Sequence, residues 1–202
     1  MASYAEMQSR IANELNRANL TAEIKLAILS AVEYYGRRRW WFNEAASTIA
    51  TVASQAYASL PSDFVEMDSL QVTVSASNRP LRQISMNQLL TFRESSSNGQ
   101  PTDYAMHQNR IELYRTPDAI YSLPVTYIKS LTVLAIDADT NAWTTEAEEL
   151  IRLHAKKDLY ANKIHDMDMA KDTQALEDSA LYRLESLNQR RTTTGRTRSY
   201  YL

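Results

Sequence analysis

The residues in this chain with the spacing best suited to chemistry are oxygen donors. Asp137, Asp139 and Asn141 alternate, and Glu148 stands twelfth counting from Asp137, which is the spacing by which a calcium loop wraps its ion. The sixth position, however, is Ala142, where such a loop requires glycine for its sharp turn. The preceding segment also reads as strand instead of helix, so a polar loop running into a capped helix is expected. His154 and His165 lie near Asp158, Asp166 and Asp168, but they do not form a tight pair such as H-E-x-x-H. They read as surface or helix-end histidines, and no metal or other cofactor is expected.

Other chemistries are equally poorly served. Cysteine is absent, which removes disulfides, thiolate catalysis and cysteine-based zinc sites. Only three glycines occur, and neither G-x-S-x-G nor a phosphate-cradling glycine loop is present. A wall-degrading glycosidase needs just two well-spaced carboxyl groups. The scattered acids leave that alternative open without singling out a pair, and no catalytic residues are assigned.

Two basic segments suggest contacts. Arg37, Arg38 and Arg39 directly precede Trp40, Trp41 and Phe42, a combination able to grip phosphate and stack bases. Arginines also complement a helix C-terminus, and paired tryptophans generally send one ring into a core, which is the preferred reading here. At the other end, Arg190, Arg191, Arg196 and Arg198 occur without an acid, interleaved with threonines and followed by Tyr200, Tyr201 and Leu202. A merely solvated tail has no use for that aromatic end. A docking arm that orders on its partner does, its guanidinium forks pairing with carboxylates and its rings filling apolar grooves.

Bulk properties set the frame for these segments. The chain has 202 residues with 44% apolar content and 9% aromatics, enough for a real core. Its 22 basic and 24 acidic residues give a net charge of −2, unlike a protein whose whole surface grips nucleic acid or anionic lipid. No signal peptide is visible at the N-terminus, and no apolar run approaches the roughly 20 residues of a membrane span. A protein of the bacterial or viral cytoplasm is expected.

Three zones position the candidate residues. Ser3-x-x-Glu6 is a capping box opening a helix to about Asn16. A second helix follows, with Ile24, Ala27, Ile28, Ala31, Val32 and Tyr35 on one face. Residues 45–135 turn β-rich: Leu70, Val72 and Val74 alternate with polar residues, Tyr121 to Ala135 reads as a long strand, and Ser85-x-x-Gln88 caps a short helix. The polar loop Glu94 to Pro101 interrupts this zone. Helix resumes at Thr145-x-x-Glu148 and runs to about Asn162. Asp166 and Asp168 then open a last helix bearing Met169, Leu176, Ala180, Leu184 and Leu187. The expectation is one α+β domain over 1–188, its helical bundle formed from 3–42 and 145–188 around the β-rich insertion, with an extended arm at 189–202.

Several short segments carry a resemblance. Leu60-Pro61-Ser62-Asp63-Phe64, Gly99-Gln100-Pro101-Thr102-Asp103-Tyr104-Ala105 and Ile111-Glu112-Leu113-Tyr114 before Pro117 occur in order. Tyr121-Ser122-Leu123-Pro124-Val125-Thr126-Tyr127, Thr140-Asn141-Ala142-Trp143 and the acidic helix start at Glu146 to Leu150 follow. Over most of residues 20–188 the chain resembles the head-to-tail adaptor (head-completion or connector) family of tailed bacteriophages. The resemblance implies a structural, non-enzymatic subunit of the virion neck, assembled in the host bacterial cytoplasm into a dodecameric ring under the portal. C-terminal arms would reach the portal ring, giving Arg190, Arg191, Arg196, Arg198, Tyr200, Tyr201 and Leu202 a portal-binding role. The opposite face would receive a tail tube or nozzle protein, and DNA would pass through the lumen without specific binding. Some adaptors of related phages also degrade cell wall, which keeps the peptidoglycan-degrading alternative, and a small DNA-binding module is the third reading.

Overall fold

Local chemistry at the N-terminus dictates the first helix. The Ser3 hydroxyl accepts from the Glu6 N–H at 3.2 Å while the Glu6 carboxylate accepts from the Ser3 N–H at 3.0 Å, the reciprocal capping box expected there. Helix α1 (Tyr4–Leu15) follows and ends where Asn16 turns left-handed, φ 52°. This computed structural model describes residues 2–17, 19–94 and 98–192. They fall into two compact units, one drawn from residues 1–42 and 131–202 and the other from 43–130.

The first unit is helical. Helix α2 (Thr21–Gly36) buries Ile24, Ala27, Ile28, Ala31 and Tyr35, the three-and-four spacing read from the sequence. They meet Met7 and Ile11 of α1 and the buried face of α5 (Glu148–Leu159), which carries Leu150, Ile151, Leu153, Ala155 and Leu159. Burying one such leucine or isoleucine contributes about 1.5–3 kcal/mol. Trp40 and Trp143 belong to the same apolar cluster, their rings edge to face with centroids 6.5 Å apart.

The last third departs from expectation in four places. Thr145 does not cap a helix: a short helix α4 (Ala142–Thr145) comes first, capped by Asn141, whose Oδ1 accepts from the Trp143 N–H at 2.9 Å. α5 then starts at Glu148, with no side-chain cap from Ala147. The α-helical pattern stops at Leu159, where the backbone widens into a π-helical turn (Tyr160–Ile164) closed by left-handed His165, φ 60°. Helix α6 (Met167–Thr192) runs past Asn188, so residues 189–192 are helical and not the start of an unpacked arm. No glycine or proline interrupts it there, and arginine is a good helix former. Finally, the buried face of α6 is Ala170, Thr173, Glu177, Ala180 and Leu184, while Met169, Leu176 and Leu187 are exposed. Polar Thr173 and Glu177 sit on the core face and so hid the true stripe.

The second unit holds two four-stranded sheets, formed by β1 (Glu44–Ala50), β2 (Tyr57–Ser59), β3 (Phe64–Val74), β4 (Ser77–Pro80), β5 (Arg82–Gln83), β6 (Asp103–His107), β7 (Arg110–Tyr114) and β8 (Ser122–Lys129), with α3 (Met86–Arg93) between β5 and β6. Their orders are β1-β8-β3-β4 and β2-β7-β6-β5. All pairs are antiparallel except β5 with β6. Leu70 and Val72 of β3, Leu123 and Val125 of β8, and Ile111 and Leu113 of β7 share one apolar cluster, so both sheets turn a face to a common core. The strand expected over Tyr121 to Ala135 ends at Lys129. Beyond it the Asp139 carboxylate accepts from the N–H groups of Ala135 and Ile136 at 2.7 and 2.8 Å, which withdraws those amides from any ladder. The mixture of helical unit and β-rich middle is the α+β class read from the sequence.

Candidate functional site

The residues singled out as a possible calcium loop are committed elsewhere. Asp137 accepts from Lys25 at 2.9 Å and from Gln8 at 3.2 Å, bonds that hold its carboxyl below the usual range, that to Lys25 foremost. The backbone carbonyls of Asp137 and Asp139 take the N–H groups of Ala5 and Tyr4, so this loop closes the open N-terminus of α1. Asn141 caps α4, and Glu148 lies 3.4 Å from Arg10 and 3.3 Å from Arg152. Among the described residues, no group of three or more His, Asp or Glu side chains is arranged to hold a metal ion.

His154 has a different neighbourhood from the surface position expected of it. Its Nδ1 lies 2.6 Å from Glu177 Oε1, its ring stacks on Tyr34 with centroids 5.0 Å apart, and Tyr35 approaches edge-on at 5.4 Å. Glu177 is 3% exposed, yet it also takes the Tyr35 hydroxyl at 2.5 Å and an ion pair from Lys157 at 2.7 Å. Burial alone would raise its carboxyl, but the bonds from His154, Lys157 and Tyr35 outweigh that and bring it down to about 2. Burial and the same bond push the Tyr35 hydroxyl far up. Four side chains from α2, α5 and α6 thus form one polar cluster around the buried Glu177. Of its members the sequence singles out Tyr35, as a core residue, and His154, as a surface histidine, but not Glu177 or Lys157.

The basic-aromatic segment is built against the end of α6. Trp40 is buried, and its indole donates to the Tyr35 carbonyl at 2.9 Å. The Trp41 N–H donates to Asn188 Oδ1 at 2.8 Å, and Asn188 Nδ2 returns to the Arg39 carbonyl at 3.0 Å. Arg38 pairs with Glu185 at 2.6 Å and Arg37 with Glu33 at 2.8 Å. Above them the Arg191 guanidinium lies over the Trp41 ring, 4.7 Å from its centroid. Of the residues assigned to docking, Arg190 and Arg191 stand on the last turn of α6. Arg196, Arg198, Tyr200, Tyr201 and Leu202 lie outside the described residues. Sequence reasoning missed Glu185 and Asn188, whose partners Arg38, Arg39 and Trp41 lie about 150 residues earlier in the chain and left no local signal.

The chain is thus a helical unit interrupted in sequence by a β-rich unit, its basic-aromatic segment folded onto its own last helix. The family model of the SU10 adaptor protein matches residues 2–200. The chain therefore belongs to the SU10 adaptor protein family, a family of phage head-to-tail adaptors. Comparison with curated proteins finds no match.

Proposed function

We propose that this adaptor forms a ring, dodecameric as in the family it resembles, beneath the phage portal. The ring joins the DNA-filled head to the tail and encloses part of the DNA channel in the virion neck. The observation that carries the reading is the family match itself, which extends over both units and through residue 200. Neighbouring subunits would meet through different flanks, as ring closure requires. The arm beyond Thr192, with Arg190 and Arg191 at its root and Arg196, Arg198, Tyr200, Tyr201 and Leu202 along it, docks on the portal ring. A tail tube or nozzle protein occupies the other side, and assembly takes place in the host bacterial cytoplasm.

Charge supports the passage of DNA without specific binding. The net charge is −2, and Arg37 and Arg38, part of the one internal basic run, are paired with Glu33 and Glu185. A duplex-DNA column should therefore retain the protein weakly, with a shallow salt dependence. The adaptor acts without catalysis, and a peptidoglycan zymogram should show no clearing.

Mass photometry of the purified chain, alone and mixed with its portal, tests the reading. A portal-dependent rise in mass matching a complete ring is expected, and it should disappear when the chain is ended at Thr192. No association under any condition would overturn the adaptor assignment of this chain's contacts.

A further inference from the structure

Leu184 is the last residue of α6 in the apolar core, and Leu187 beyond it is 43% exposed. The final two turns therefore have little apolar anchorage, and helix ends without it fray. A ridge of polar contacts takes over at this point. Glu185, Asn188 and Arg191 recur every third residue, one line along a helix surface, and meet the segment Arg38 to Trp41 in the same order. Glu185 pairs with Arg38 at 2.6 Å, Asn188 bridges the Arg39 carbonyl and the Trp41 N–H at 3.0 and 2.8 Å, and Arg191 covers the Trp41 ring at 4.7 Å.

The Asn188 contact is the most telling of the three. Its carboxamide satisfies both a backbone donor, the Trp41 N–H, and a backbone acceptor, the Arg39 carbonyl, which neither a shorter nor an apolar side chain could do. Asparagine is unfavourable within a helix, so the residue works against local propensity and is compensated by this bridge. Arg191 is likewise engaged by its own chain, over the Trp41 ring.

We propose that Glu185, Asn188 and Arg191 are positioning residues that fix the point and direction at which the arm leaves the helical unit, with Arg191 acting on Trp41 instead of on the portal. This rests on the reading of the arm as the portal-docking segment. An anchored root keeps residues 193–202 within reach of their target, whereas two frayed turns would let that root wander by about 10 Å and dilute the arm's effective concentration at its site.

Full-length chain and purified portal ring test the proposal through Asn188→Ala, Arg191→Ala and Arg191→Lys. Two quantities are read: hydrogen exchange of the amides of residues 186–192, and portal affinity. Both alanine variants should accelerate exchange there about tenfold with the earlier turns of α6 unchanged, and weaken portal binding roughly fivefold. Arg191→Lys should recover part of both, because an ammonium also sits over an indole ring. Wild-type exchange in the alanine variants would overturn the ridge, and faster exchange with wild-type affinity would overturn its positioning role. A chain ended at Thr192 separates the two readings. If it loses the portal while Asn188→Ala does not, only the positioning role falls; if it binds as the full chain does, the arm reading falls and takes the positioning role with it.

Discussion

The Tyr35 hydroxyl donates to Glu177 Oε1 at 2.5 Å, joining the end of α2 to the middle of α6 inside the helical core. A buried carboxylate with three polar partners is costly to desolvate but costlier to break, since removing it strands the groups around it. Glu177→Ala should destabilise the protein by about 3 kcal/mol in urea denaturation. Tyr35→Phe, which removes one bond to a charged acceptor, should cost about 2 kcal/mol. The double variant should lose less than the sum, because both remove the same bond.

Acid should weaken this cluster in a defined window. The folded-state value of Glu177, about 2, lies below its ordinary 4.5, so on acidification the unfolded chain takes up the proton first. The contribution of Glu177 is complete above about pH 5 and is lost progressively as pH falls towards 2. Denaturation midpoints measured across that range should decline in the wild type. The decline should be shallower in Glu177→Gln, which has no proton to gain.

The β-rich unit has its own polar fastening. Arg93 Nη2, at the end of α3, donates to the carbonyls of Ala56 and Leu113 at 2.8 and 2.9 Å and to Glu112 at 2.9 Å. Lysine could keep the charge but not the planar fork that serves several acceptors at once. Arg93→Lys should cost about 1–2 kcal/mol, visible as a lower thermal midpoint, with the helical unit's near-ultraviolet tryptophan signal preserved before the transition.

A gain is expected at the β3–β4 hairpin. Its two turn residues, Ser75 and Ala76, have φ of 48° and 64°, the left-handed pair that a tight hairpin turn requires and that ordinary side chains resist. Asparagine followed by glycine suits such a turn best, so the double substitution Ser75→Asn with Ala76→Gly should raise stability by about 1 kcal/mol. Chemical denaturation would register it, and an unchanged or lower midpoint would count against the strain.

Where sequence reading succeeded, a local pattern and the tertiary environment agreed. Ser3 and Glu6 form their capping box, Ser85 and Gln88 do the same for α3, and the apolar face of α2 is buried as spaced. Reading failed where distant residues decided. Glu177 looks like a solvent charge until His154, Lys157 and Tyr35 are brought around it, and that displacement moved the apparent stripe of α6 onto Met169, Leu176 and Leu187. The strand beyond Lys129 was over-extended because Leu131 and Leu134 look like strand residues but pack with the helical core. At the Arg-Trp segment the expectation of a helix end and a core tryptophan agrees with the end of α2 at Gly36 and the buried Trp40. Its partner Asn188 could not be read from a linear pattern.

The division of the helical unit into two stretches of chain matters during synthesis. Helices α1 and α2 leave the ribosome first, but the partner for their apolar face, α5, follows only after all of residues 43–130. At usual elongation rates that delay is on the order of ten seconds. The sheets, whose core lies wholly within their own unit, can close during this interval. The first two helices meanwhile hold Met7, Ile11, Ile24 and Ile28 without their cover. Nascent chains stalled before α5 should thus be the form of this protein that chaperones recognise.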